Sequence, residues 1–509
     1  MRAKILLLLI GIILSISSCR SDFETIASNG TLKFSRDTIY LDTVFTNIGS
    51  STYRLKVYNK SKNDITIPTI QLARGLTSKY RMTVDGMQGN NGKIFNNVDL
   101  LAKDSLYIFI ETTANIADAN ATDFLYTDQI QFDSGQNLQT VELVTLIQDA
   151  VFLFPQRFAD GTKEILPVGN ETIEGFFLDE NDAINGNELQ FTNTKPYVIY
   201  GYAAVPSNKI ATFEAGTKVH FHANSGIIVG NNASIQVNGS LSTTEKLENE
   251  VVFEGDRLEP DFSNVPGQWG TIWLTDGSTN NSFNHLTIKN ATIGILIQNN
   301  DQTTVSIKNT QIYNSSNYGI LAQTAKINGE NVVINNAGQA SLACTYGGNY
   351  QFTHSTFNNN WNSSNQVAVF ISNFISGAVP ESKDLTRATF NNCIIYGSYS
   401  NEMSLNRKTG AIFNYQFNNC LIKFDNSSAR FATNPDYQFT TDLVHYNAII
   451  LNKDPKFFKI ADNKLNIDDT SAAFAKGNSA FLIPLDILGR ARTLPPDLGG
   501  YQNMIFPLN

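Results

Sequence analysis

Asp276 with Asp301, and His220 with His222 at alternate positions, are the pairs whose spacing bears most directly on chemistry. Glycoside hydrolysis needs two carboxyl groups within about 10 Å, one to protonate the leaving oxygen and one to attack or to activate water. Asp276 and Asp301 meet that need only if the interval between them forms one structural repeat, which in a stacked-strand solenoid is roughly two dozen residues. Both lie in polar turn sequences, Thr275-Asp276-Gly277 and Asn300-Asp301-Gln302, where a carboxylate caps backbone N–H groups, and turn capping is the role expected of them. A strand would set both histidine rings on one face, a spacing able to hold a metal on a sheet. No third ligand is visible nearby in the sequence, so the pair is expected to be solvated on an outward face near the start of the repeats.

Tyr313, Tyr318, Tyr346, Tyr350 and Trp361 fall in or beside loops, where rings stack on sugars or on a partner protein, or pack internally. With Arg387 they form the candidate binding surface. Arg387, Arg407, Lys408 and Arg430 add positive charge that an anionic glycan or partner would meet, although exposed loop positions account for them equally simply. Cys344, Cys393 and Cys420 follow Cys19. Their number and spacing give neither a disulfide framework nor a C-x-x-C zinc site, and they are expected to act as small apolar residues. No metal, cofactor or catalytic residue is implied.

The elements that position these residues are strands. With 509 residues, 42% of them hydrophobic, the chain can bury two or more cores. Its net charge of −9 and the lack of a long basic run exclude a nucleic-acid partner. From about Leu32 to Ala150 the pattern has period two: Leu55 and Val57 alternate with Arg54 and Lys56, and Leu106-Ile108-Ile110 with Tyr107 and Phe109. Turn signals such as Asn47-Ile48-Gly49 and Asp133-Ser134-Gly135 punctuate the runs, giving an antiparallel β-sandwich over 32–150. After about Val151 the organisation changes. Ile288, Ile312, Ile334 and Phe357 recur at a nearly constant interval, each soon followed by asparagine, and Phe390-Asn391-Asn392-Cys393 returns further on as Phe417-Asn418-Asn419-Cys420. That period is one coil of a stacked-strand solenoid, with apolar columns inside and amide ladders at the corners. The stretch from Asn373 to Thr389 breaks the period and reads as a projecting loop.

The N-terminus reads as an export signal: Arg2 and Lys4, an apolar run from Ile5 to Leu14, then Ser15-Ile16-Ser17-Ser18 before Cys19. It resembles the lipobox of bacterial lipoproteins, which implies removal of residues 1–18 and acyl chains, palmitate among them, on Cys19. Arg20-Ser21-Asp22-Phe23-Glu24 resembles the acidic export signal of Bacteroidota surface lipoproteins, which implies an outer-membrane protein facing the cell exterior on a tether over 19–31. Val44 to Ser50, followed by Leu55 to Asn59, resembles the opening hairpins of immunoglobulin-like domains in bacterial surface proteins.

Thr217–His222, Gly226–Gly230, Ser234–Gly239, Val251–Gly255 and Gly267–Ile272 resemble the right-handed parallel β-helix domains of Bacteroidota surface proteins, within the pectate-lyase-like superfold. Ser471-Ala472-Ala473, Asp486 to Arg492 and Pro496 to Tyr501 resemble that family's closing motif, with Ala472 where proline is usual. The resemblance implies a connector over 151–194 and a solenoid over 195–505, capped at its C-terminal end. Lyases of this superfold need several carboxylates on one sheet and a Lys or Arg base. Between Thr271 and Pro380 the ionisable residues are Asp276, His285, Lys289, Asp301, Lys308, Lys326, Glu330 and His354, and they are not expected to cluster at coil spacing. The expectation is an all-β, non-catalytic surface lipoprotein, either an accessory subunit of an outer-membrane protein complex or a binding scaffold. The alternatives are a polysaccharide lyase or hydrolase and a glycan-binding protein.

Overall fold

The computed structural model describes residues 24–506, apart from 170, 364, 378 and 379; Cys19 and the signal-like segment before it lie outside the described residues. The fold is all-β, and among the described residues no helix is long and apolar enough to cross a membrane. The chain divides between Asp149 and Ala150 into two compact units.

The first unit is built from β1 (Ile26–Ala27), β2 (Lys33–Phe34), β3 (Thr38–Phe45), β4 (Tyr53–Tyr58), β5 (Ile65–Leu72), β6 (Tyr80–Val84), β7 (Ile94–Leu100), β8 (Ser105–Thr112), β9 (Leu125–Phe132) and β10 (Gln139–Gln148). One sheet runs β1-β5-β9-β10-β3 with β7 also on β5, and the other runs β2-β4-β8-β6. Alternation sorts the faces: Leu55, Val57, Leu106, Ile108 and Ile110 are buried, while Tyr107 and Phe109 between them are exposed. Leu55 faces Ile108 across the antiparallel β4–β8 ladder. These residues share one core with Ile67, Ile130 and Leu143 of the other sheet. Each such side chain contributes about 1.5–3 kcal/mol by leaving water.

Two readings change here. Val44 to Asn59 is not a hairpin, because β3 pairs in parallel with β10 while β4 pairs with β2 and β8, so this stretch carries the chain between sheets. A turn signal between two alternating runs looks the same in either case. Ile26–Ala27, read as tether, pairs in parallel with Ile65–Thr66.

Among the described residues of the second unit, 26 strands form one continuous sheet that curls on itself. Apart from an opening antiparallel hairpin of Ile165–Val168 with Glu171–Phe177, pairing is parallel and joins successive turns of the chain. Tyr197–Ile199 lies on Lys218–Phe221, that strand on Val251–Gly255, and that on Leu286–Lys289. The pattern begins at Val151–Leu153, which pairs with Tyr197–Ile199, so the stretch read as a connector already belongs to the sheet. A polar insertion between Phe177 and Gln190 hides those short strands from a periodicity argument.

The apolar column is present in register: Ile288 on Ile312, Ile312 on Ile334, Ile334 on Phe357, all fully buried. Asn290, Asn314 and Asn336 take left-handed φ values of 63°, 56° and 58°. Asparagine tolerates that region better than most residues, which is why it recurs at these corners. Amides also bridge coils, Asn358 Nδ2 donating to Asn335 Oδ1 at 2.7 Å and Asn418 Nδ2 to Asn391 Oδ1 at 2.9 Å. Phe390 stacks on Phe417 at 4.9 Å, and Cys393 and Cys420 are buried with free thiols, as is Cys344.

Candidate functional site

The outer face of the curled sheet carries a ladder of charges. Register places His220 beside Glu254, and the next coil brings Lys289 to the same carboxylate. His220 Nδ1 lies 3.8 Å from Glu254 Oε1 and 3.2 Å from the Gly255 carbonyl, and Lys289 Nζ lies 3.2 Å from Glu254 Oε2. His222 pairs with Asp256 at 2.7 Å beneath the Tyr200 ring. His220, expected to be solvated, is buried, because the following coil covers it. Lys308 and Glu330, register partners, pair at 2.9 Å. Of the ionisable residues between Thr271 and Pro380, Lys308 and Glu330 therefore do meet at coil spacing, and Lys289 meets a carboxylate from before that stretch. A turn insertion between Gly239 and Glu250 sets His220 and Glu254 further apart in sequence than one regular period.

This ladder balances charge. Burial acts to raise the Glu254 carboxyl, but the Lys289 ammonium and His220 beside it hold it below the usual range. Burial lowers His220, so its ring is neutral, and the hydrogen bond to Asp256 raises His222. Among the described residues no three His, Cys, Asp or Glu side chains are placed to hold a metal ion. Asp276 and Asp301 are both exposed, and Asp301 Oδ1 accepts from Gln302 Nε2 at 2.8 Å.

The closing segment lies along the outer face of the sheet and contacts coils far apart in sequence. Lys464 pairs with Glu245, Arg492 reaches Asn331, the Gly500 N–H donates to Thr356, and the Asn478 N–H donates to Asn392. Its motif residues hold it in shape. Asp486 accepts from the backbone N–H groups of Leu488, Arg490 and Gln502 and from the Arg490 guanidinium, and Asp497 accepts from Ala475 and Asn503. Gly489 sits at φ 70°, where an added Cβ would meet Leu241 at 2.4 Å.

The six residues of the candidate binding surface are spread over the unit. Tyr350 is fully buried, its hydroxyl donating to the Gly347 carbonyl at 2.8 Å, so it belongs to the core and to no surface. Tyr313 packs beneath the closing segment beside Tyr501, and its hydroxyl donates to Gln311. Tyr318 donates to Gln339. Tyr346 donates to Glu381 at 2.7 Å with Lys383 over its ring, tying down a short hairpin of Phe374–Ile375 with Glu381–Ser382 inside the expected insertion. Trp361 is half-buried after Asn359. Arg387 is exposed and bonds the side-chain oxygens of Asn349 and Gln351 at 3.0 Å each. Arg407 pairs with Asp436 at 3.2 Å, while Arg430 lines an open cleft of about 350 Å³ with Asn365, Gln366, Tyr399 and Asn434. Behind that cleft Glu402 is fully buried and accepts from the Tyr399 N–H at 2.8 Å.

An aromatic and cationic face that the sequence reading passed over lies in the first unit. On the outward side of β2-β4-β8-β6, Tyr107 and Phe109 are 39% and 43% exposed, with ring centroids 6.2 Å apart and planes 20° apart. Lys56 Nζ lies 5.1 Å from the Tyr107 ring and 5.4 Å from that of Tyr58, over which Lys60 also sits. The signal was available, since Tyr107 and Phe109 occupy the outward positions of an alternating strand where polar residues are usual.

No protein-family model matches the chain, and no curated protein matches it. Among solved structures it is similar to a family 123 glycoside hydrolase from Clostridium perfringens, described for glycolipid glycan hydrolysis, at 8% identity and a TM-score of 0.17, over 24% of this chain and 26% of that one. It is also similar to an ASH/PapD-like domain of human CEP192, at 12% identity and a TM-score of 0.16, over 26% of this chain and 95% of that one. The chain thus spans about a quarter of the hydrolase's length.

Proposed function

We propose that this chain is a non-catalytic, surface-exposed lipoprotein of the outer membrane, an immunoglobulin-like sandwich followed by a right-handed parallel β-helix, that serves as a binding scaffold or as an accessory subunit of an outer-membrane complex. The observation that carries the non-catalytic reading is that charged groups on the curled sheet neutralise one another between coils, as in Glu254 with Lys289 and Lys308 with Glu330. The Asp and Arg residues of the closing motif are likewise engaged in holding that segment to the sheet. A general acid or base needs a pKa near the working pH and access to substrate, and the paired, lowered Glu254 lacks the first. Parallel pairing between successive turns, with inward apolar columns, supports the β-helix reading. The two packed sheets of the first unit support the sandwich.

The deciding experiment is purification of the natively tagged full chain from mild-detergent membranes with mass spectrometry of co-purifying proteins. Stoichiometric recovery of an outer-membrane protein establishes the accessory role. Depolymerisation of a uronate-containing glycan by the pure protein, abolished by one Asp, Glu, Lys or Arg substitution, defeats the non-catalytic reading in favour of a lyase or hydrolase. Anchoring is tested with Cys19→Ala, which is expected to leave the membrane fraction; retention there refutes lipidation.

A further inference from the structure

We infer that the outward face of the β2-β4-β8-β6 sheet binds a carboxylated polysaccharide, with Tyr107 and Phe109 as the stacking platform. The inference deepens the binding-scaffold reading above and rests on it. A pair of large, near-parallel rings left in water on a sheet face presents apolar surface of the kind that takes the C–H face of a sugar ring. Beside Phe109 the sheet forms a cleft of about 200 Å³ whose polar wall includes Thr83, Gln88 and Asn91 together with the Arg81–Glu111 ion pair. That is below the size of a typical drug-sized pocket, about 300–1,000 Å³, and suits one ring-sized unit held by hydroxyl and amide groups.

The charge of the face names the ligand class. Across the ladders, Arg54 is the register partner of Phe109, Lys56 of Tyr107 and Lys33 of Tyr58. The acids nearby include Glu111, already bound to Arg81 at 2.8 Å, and Asp85, whose backbone N–H donates to the Tyr107 carbonyl. A cationic face on a chain of net charge −9 is complementary to an anionic chain. Carboxylates spaced along a glycan would meet Arg54, Lys56 and Lys33 while its sugar rings lie on Tyr107 and Phe109. Charge-assisted bonds to carboxylate oxygens are stronger than neutral ones, so the cations set preference and the rings set position.

The test is binding of the full chain, in mild detergent at low salt, to polygalacturonate and alginate oligomers. Neutral dextran, anionic phospholipid vesicles and oligothymidylate serve as comparisons. Binding to the carboxylated oligomers is expected to weaken by about tenfold or more in the Tyr107→Ala, Phe109→Ala double variant, and comparably in Lys56→Glu. It is expected to fall as salt rises and to be unchanged in Tyr40→Ala, an exposed ring on the other sheet. All these positions are solvent-facing, so thermal unfolding of the variants is expected to match the parent. The proposal is overturned if neither oligomer binds, if binding survives both platform variants, or if dextran, vesicles or oligothymidylate bind as tightly. The same mixtures are assayed for new reducing ends. Their appearance overturns the non-catalytic reading beneath the proposal, whereas loss of binding without them overturns the platform and leaves that reading standing.

Discussion

Arg492 and Asn331, 161 positions apart, are joined by a 2.8 Å hydrogen bond from the guanidinium Nη2 to the side-chain oxygen, and both residues are buried. The same asparagine donates to Asn309 of an adjoining coil and to the Leu485 carbonyl of the closing segment. One amide thus fastens that segment to the curled sheet.

Asn331→Ala leaves a buried guanidinium without this acceptor and two oxygens without their donor. It is expected to cost about 3 kcal/mol. Urea denaturation measures the loss, and limited proteolysis should cut within residues 454–506 sooner than in the parent. An unchanged midpoint would show that the segment is held elsewhere.

Glu402 makes stability depend on pH. Burial pushes its carboxyl up to about 8, despite the Tyr399 and Gln366 hydrogen bonds and the Lys423 charge that act the other way. The folded state therefore holds a proton that the unfolded chain releases near pH 4.5. This contribution is fully present below about pH 4.5 and is lost as pH rises to about 8. Between those limits the parent should lose on the order of 4 kcal/mol relative to Glu402→Gln, read from urea midpoints at about pH 5 and about pH 8.5. Parallel pH profiles would refute the assignment.

Lys289→Met removes the ammonium that lies on Glu254 and leaves a half-buried carboxylate with the neutral His220 ring beside it and only the Lys218 charge acting on it. A loss of about 2 kcal/mol is expected, smaller than for a fully buried pair because both partners keep some water. The double variant with Glu254→Gln should recover part of it. An additive double-mutant cycle would mean that the two groups do not interact.

Cys344, Cys393 and Cys420 are fully buried, and burial pushes the Cys344 and Cys393 thiols well above the usual range. Burial keeps a colorimetric thiol reagent from all three, and for Cys344 and Cys393 it also suppresses the reactive thiolate, so at about pH 8 they should stay unlabelled until denaturant is added. Fast labelling of any of them in the native protein would contradict the packing.

Much of the architecture was legible because strand and coil periods are written locally. Leu55 and Val57 against Arg54 and Lys56 give a half-buried strand from alternation alone. Ile288, Ile312 and Ile334 fall in register because stacked parallel strands repeat the same residue type at the same place. The partners of β3 were not legible, since an edge in sequence does not say which of two sheets a strand will join. Glu254 escaped notice for a related reason: its offset from His220 is stretched by a turn insertion and matches no repeat. Tyr350 and Tyr107 exchanged roles because an aromatic beside a turn and one on a strand can each face either way until the neighbouring coil or sheet is placed.

The amino-acid sequence by itself determined what repeats: period-two strands before residue 150, apolar columns and asparagine corners after it, and the residue types of the closing motif. Only the tertiary structure decided what meets across long separations, Arg492 with Asn331, His220 with Glu254, and β3 with β10. Local patterns record which face of a strand is buried, because burial acts residue by residue. Register between distant strands is settled by how whole coils and sheets pack together, and no single stretch of sequence carries that information.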